Sequence, residues 1–157
     1  MSELNDHGKR LSIHKTAVEI SMNKLAKRIR IRGSRHDNSA MSGLEHAIGS
    51  MYSKHKLPTH WISDPTTLGN YPKDIQSAIK SHYENNDHHP EHFENGMYDM
   101  NIIQLTEMIC DVFETLRENG VSQSDVHHHI EHMCNNYNIA EPLSSIIKNT
   151  IVQLYEE

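Results

Sequence analysis

The chain has 157 residues, of which 36% are hydrophobic and only 6% aromatic, and its formal charge is −6. That length predicts one domain with a single core resting on Ile, Leu, Met and Val. The charge argues against a general nucleic-acid coat but leaves room for a local basic site, and no apolar run approaches the ~18 residues of a membrane-spanning helix. The opening Met1-Ser2-Glu3-Leu4-Asn5-Asp6 lacks the apolar stretch of a signal peptide. Cys110 and Cys134 form no CxxC pair, so two free, inert and buried thiols in a reducing cytoplasm are expected.

The periodicity is helical nearly throughout. Val18, Met22, Leu25 and Ile29 form a stripe predicting a helix from about Leu11 to Ile29, with residues 1–10 as a flexible tail. His14 lies on the same stripe and is expected to point inward. Arg28 to Arg32 alternates with period two, but reads as the helix end running into a Gly33-Ser34 turn. A second helix over Ser42–Lys54 carries Leu44, Ile48 and Met51. Pro58, Pro65, Gly69 and Pro72 then mark a long loop. Pro72 suits the first turn of a third helix reaching Tyr83, with Ile75 and Ile79 inward. Asn85 to Asp99 reads as a polar loop. Asn101 and Gln104 resemble a capping box opening the most apolar helix, to about Glu118, with Ile102, Leu105, Ile109, Val112 and Leu116; Gly120 ends it. Ser122 or Ser124 caps a fifth helix to about Tyr137. Pro142 starts a last one, with Leu143, Ile146, Ile147, Ile151 and Leu154 as its apolar face. The expectation is an all-α, single-domain bundle of about six helices.

Fourteen histidines punctuate this pattern. The informative order is His36-Asp37, His82, His88-His89, Asp111. Imidazole nitrogen with carboxylate oxygen suits Zn, Mn, Fe, Co or Ni. Each piece also has a plainer reading. Asp37 could be a helix N-cap. His82 could simply complement a helix dipole. Gln104, Glu107, Asp111, Glu114 and Glu118 could form one solvated face. The run His88-His89-Pro90-Glu91-His92 is the most specific, because three imidazoles in five loop residues are seldom used for packing. His127, His128, His129 and His132 read instead as an exposed, pH-sensitive helix face. Lys24, Lys27, Arg28, Arg30, Arg32 and Arg35 lead into the His-Asp pair and would suit a phosphorylated substrate, as well as a solvated helix face. Glu45, eight residues past Asp37, is a candidate second-layer residue or general base.

Together these motifs resemble the HD-domain superfamily of metal-dependent phosphohydrolases. They are more specifically similar to a small family of phage and bacterial proteins. The shared blocks are a helix beginning with His, an Arg-x-x-x-His-Asp-x-Ser turn (Arg32 to Ser39), an Asn-x-His-His-Pro-Glu loop (Asn86 to Glu91) and a Glu-Met-x-x-Asp helix (Glu107 to Asp111). The resemblance spans about residues 11–151. It implies that His14, His36, Asp37 and Asp111 hold one metal. His82, His88 and His89 would serve a second metal or the substrate phosphate, and Asp37 would bridge two ions. Catalytic roles would fall to Asp37, Glu107 and Glu45, and phosphate binding to Arg35 and Arg32. The expected activity is hydrolysis of a nucleotide or other small phosphate ester, with one or two divalent transition metals, in the cytoplasm, with no membrane partner and room for a homodimer. The loop also resembles the His-His-Glu block of cyclic-dinucleotide phosphodiesterases, but Pro90 intervenes and their following Gly-Tyr-Pro is missing. Two other uses of the same scaffold are a mixed-valence di-iron oxygenase and a non-catalytic accessory protein. Ala40 bears on the latter, because the similar family has Lys after the Ser of that turn.

One condition is geometric. His14 and His36 are 22 residues apart, about 33 Å along an unbroken helix. They meet only if the chain reverses between Asn23 and Ser34; otherwise His46 or His60 must replace His14.

Overall fold

The computed structural model describes residues 2–52, 69 and 71–156. Among these there are six α-helices, three short 3-10 turns and no strand, an all-α architecture. The helices are α1 (Ser2–Gly33), α2 (Gly43–Tyr52), α3 (Lys73–Asn85), α4 (Ile102–Glu118), α5 (Val126–Asn136) and α6 (Leu143–Leu154). The 3-10 turns are Asn38–Met41, Pro90–His92 and Gly96–Asp99. The chain divides into two compact units, Met1–His36 and Asp37–Glu157.

The first unit is α1 and a turn. The helix starts at Ser2, so the tail expected over residues 1–10 is helical from its second residue. Arg30 and Arg32 sit in the last turn, where cations complement the helix dipole. The stripe expected to face inward is exposed at Val18, Met22 and Leu25, and His14 is exposed with it. A single helix supplies no second element within its unit to cover an apolar stripe, so periodicity locates the helix without burying it.

The second unit holds two apolar clusters. In the larger, α4 and α5 each pack on α6, joining Leu105, Ile109 and Val112 to Ile130, Met133, Ile147 and Ile151. Ile147 and Ile151 have no exposed surface, and each such side chain contributes about 1.5–3 kcal/mol. In the smaller, α3 brings together Ile75, Ala78, Ile79 and Tyr83, and α2 packs alongside α3. Ile102, Ile146 and Leu44 were expected on apolar faces but are exposed. The side chains of Ile48 and Met51, and the loop prolines Pro58 and Pro65, fall outside the described residues.

Helix ends follow local chemistry. At α4 the Asn101 side chain accepts from the backbone N–H groups of Ile103 and Gln104, and the Gln104 side chain accepts from the Asn101 N–H, a complete capping box. The same helix closes at Gly120, whose φ of 73° is left-handed. There the Val121 N–H reaches the Leu116 carbonyl and the Gly120 N–H that of Arg117, a Schellman motif. The fifth helix is capped differently from expectation. Its N-cap is Asp125, without a side-chain cap bond, and the Ser122 hydroxyl donates instead to the Asp125 carboxylate at 2.6 Å.

Candidate metal centre

Asp37 begins the site. It precedes the Asn38–Met41 turn as its N-cap residue, yet makes no side-chain cap bond, so the plain capping reading does not hold. Its backbone is left-handed, φ 52° and ψ 28°, a conformation that costs an ordinary L-residue roughly 1 kcal/mol or more and that Asp tolerates better than most. The carboxylate turns instead toward two imidazoles. Its Oδ1 lies 3.6 Å from Nε2 of His82 and 3.4 Å from Nε2 of His88.

His82 occupies the last turn of α3, where a cation would complement the helix dipole, and is 1% exposed. His88 is equally buried and His89 nearly so. The two follow α3 in a loop fixed from several directions. The Asn86 amide donates to the His82 carbonyl and to the Ser39 hydroxyl. The Gln104 amide, already part of the α4 cap, donates to Asp87 at 2.5 Å. The Tyr137 hydroxyl donates to Glu91 at 2.8 Å, and the His92 ring meets the Tyr83 carbonyl at 3.0 Å. Pro90, at the start of its 3-10 turn, stiffens the chain directly after the pair.

The donor atoms converge. Asp37, His82, His88 and His89 each offer a ligand atom within 4.8 Å of all the others. Nε2 of His82 faces Nε2 of His89 at 2.9 Å. Ligands held at 2.0–2.1 Å from one ion are separated by about 2.8–3.4 Å in octahedral or tetrahedral arrangements. Two of the three observed spacings, 2.9 and 3.4 Å, fall in that range, and the third, 3.6 Å, lies just beyond it. This buried imidazole and carboxylate cluster could hold a metal ion. Asp111, half-buried on α4, brings a carboxylate oxygen within 4.8 Å of a His88 ring nitrogen.

Two glutamates stand behind the imidazoles. Glu45, 5% exposed in the first turn of α2, lies 3.0 Å from Nδ1 of His82. Its carboxylate also accepts from the Ser39 hydroxyl at 2.9 Å and the Ser81 hydroxyl at 3.3 Å. Glu107 lies 3.5 Å from Nδ1 of His88. The helix face bearing Glu107 and Asp111 is half-buried, grading to full exposure only at Glu118. Glu91 is held above the usual carboxyl range, chiefly by burial, against the lowering effect of its own backbone N–H, Tyr137 and His82.

Other expected site residues fall elsewhere. The helix α1 runs unbroken to Gly33, so the chain reversal that would let His14 and His36 share one ion is absent; His14 is about 28 Å from the end of its own helix. Its suggested substitute His46 is exposed on α2, and His60 lies outside the described residues. His36 is half-buried and ends the first unit, one peptide bond before Asp37. Arg32 is half-buried and Arg35 exposed, both also in the first unit. His127, His128, His129 and His132 are exposed on α5 as expected. Cys134 is buried, but Cys110 is exposed, contrary to expectation, because it falls on the α4 flank away from the buried line Leu105, Ile109 and Val112. Ser81 and Tyr137 were not singled out from sequence. They reach the site from 36 and 46 residues away from their partners, and neither belongs to a local pattern.

Fold and site define an all-α protein with a buried His/Asp cluster suited to a metal. The chain belongs to the family of unknown function DUF5662, whose model matches residues 3–153. No curated protein and no solved structure matches it. No helix among the described residues is long and apolar enough to cross a membrane.

Proposed function

We propose that the chain is a metal-dependent phosphohydrolase of the HD type, acting on a nucleotide or another small phosphate ester. The convergence of Asp37, His82, His88 and His89 on one point supports this reading most strongly. Three neutral imidazoles and one carboxylate suit a divalent transition metal such as Mn, Fe, Co, Ni or Zn. Asp111, beside His88, completes the proposed ligand set. When bound, such an ion lowers the pKa of a water toward neutrality and polarises a phosphoryl oxygen.

The chain's own groups do the rest. Asp37 lies between two imidazoles, where its charge would offset that of a bound cation in a buried place. The pinned loop from Asn86 to His92 holds His88 and His89 in position before substrate arrives, which lowers the ordering cost of binding. Arg35 and Arg32, just before the His-Asp pair, are the proposed partners of the substrate phosphate, since a guanidinium matches its geometry bidentately.

The test is elemental analysis of untagged protein, together with phosphate release from a nucleotide panel supplied with Mn, Fe, Co, Ni, Zn or Mg. At least one metal per chain is expected, with turnover lost in the His36→Ala, Asp37→Ala double variant. Equal turnover in the variant would defeat the proposal, as would no turnover with any metal. Two irons per chain with oxygen consumption and no phosphate release would replace hydrolysis by an oxidative reaction.

A further inference from the structure

The hydrogen bonds around His82 determine which ring nitrogen carries its proton. Three polar groups crowd its Nδ1 side: Glu45 Oε2 at 3.0 Å, the Asn86 amide nitrogen at 3.2 Å and, through Glu45, the Ser39 hydroxyl. The Asn86 amide has two N–H groups. They are directed to Ser39 Oγ at 2.7 Å and to the His82 carbonyl at 2.9 Å, which leaves none for the ring. Ser39, accepting from Asn86, passes its own hydrogen to Glu45 Oε2. The Ser81 hydroxyl is directed to Glu45 Oε1 at 3.3 Å. The Glu45 carboxylate can only accept. The hydrogen between Glu45 and His82 therefore belongs to Nδ1, and a neutral ring then has its lone pair on Nε2. That nitrogen faces His89 Nε2 at 2.9 Å and Asp37 Oδ1 at 3.6 Å.

We infer that Glu45 is a positioning residue: held by the Ser39 and Ser81 hydroxyls, it locks His82 in the Nδ1–H tautomer and so aims the Nε2 lone pair at the metal. The metal half of this inference rests on the reading above; the tautomer half does not. A carboxylate behind a ligating imidazole fixes ring orientation and raises its basicity, and removing one typically costs 10–100-fold in metal affinity. Glu45 is 5% exposed, with both oxygens engaged. It serves the site through His82 and not as a general base.

The test needs two readouts. Nitrogen-15 NMR of the imidazole rings in metal-free protein should show His82 in the Nδ1–H form. In Glu45→Gln the amide can donate as well as accept, so the ring should redistribute toward Nε2–H. Titration with Co(II) should show affinity lowered about 10–100-fold in Glu45→Gln, with an altered visible spectrum. Ser39→Ala, which keeps the carboxylate but loosens it, should fall between the two and covers the case in which Glu45→Gln fails to fold. Wild-type His82 in the Nε2–H form overturns the inference, as does a Glu45→Gln affinity within about twofold of wild type. A wild-type protein in the Nδ1–H form that binds no metal supports the tautomer lock and removes the hydrolase reading instead.

Discussion

At the scale of the residue, buried polar groups decide the chemistry. Glu91 is the clearest case for a pH effect. Burial raises its carboxyl above 4.5 in the folded chain, so the folded state favours the protonated form. The stability this group contributes is fully present below its unfolded value and is lost as pH rises through the raised folded one. Gln at this position keeps an acceptor for the Tyr137 hydroxyl and removes the charge. Thermal melts of metal-free Glu91→Gln should therefore gain on wild type as pH rises from about 4.5 to neutrality. A constant difference across that range would contradict the argument. Much of this layer was legible from sequence, and some was not. Asp37, His88 and His89 stood out because adjacent ligand types in loops have few packing uses. Ser81 could not stand out: a serine on a helix is ordinary until the fold sets Glu45 beside it, 36 residues away in sequence. Cys110 was misplaced because an apolar helix suggests burial all round, whereas only one side of α4 is covered.

At the scale of the element, the cap of α4 was read more closely than the face of α1. Asn101 and Gln104 formed the expected box because both partners lie within one turn, and a local motif needs no knowledge of the fold. Asn101→Ala should lower stability by about 1 kcal/mol, measurable as a shift in denaturant midpoint. It should also weaken metal binding slightly, since Gln104 anchors Asp87 in the histidine loop. An unchanged midpoint would show that the box contributes nothing. The end of α5 uses a different residue. Asn138 takes the left-handed position there, φ 51°, with the Ile139 N–H reaching the Cys134 carbonyl at 2.8 Å. Asn is a weaker signal than the Gly120 that closes α4, yet the expected end near Tyr137 agrees with the observed one at Asn136. The apolar stripe of α1 shows the limit of periodicity: Val18, Met22 and Leu25 repeat as a packed helix does, and yet all three are exposed. His14 was carried inward by the same reasoning and is exposed for the same reason.

At the scale of the whole molecule, charge is unevenly divided. Residues 1–36 carry nine Lys or Arg and three Asp or Glu, while residues 37–157 carry six and eighteen. The acidic unit contains the His/Asp cluster, and its negative potential favours cations over the anionic substrate proposed for them. Metal present at about 100 times its dissociation constant should stabilise the folded chain by about 2.7 kcal/mol. Calorimetric melts with and without a chelator measure this directly, and Asp37→Asn should abolish the difference while keeping a residue that accepts the left-handed backbone. The all-α class was legible because nearly every segment has a helical period. The step from His36 to Asp37 coincides with the turn after Gly33 and with that change from basic to acidic composition. That step has a topological consequence. Asp37 and His82 are 45 residues apart, so an ion joining them would tie the chain into a ring, a removable cross-link. Closure entropy grows only with the logarithm of ring size, and doubling the ring costs about 0.6 kcal/mol. Lengthening the chain between Tyr52 and Lys73 would therefore cost little closure entropy, provided that Glu45 and His82 keep the same geometry.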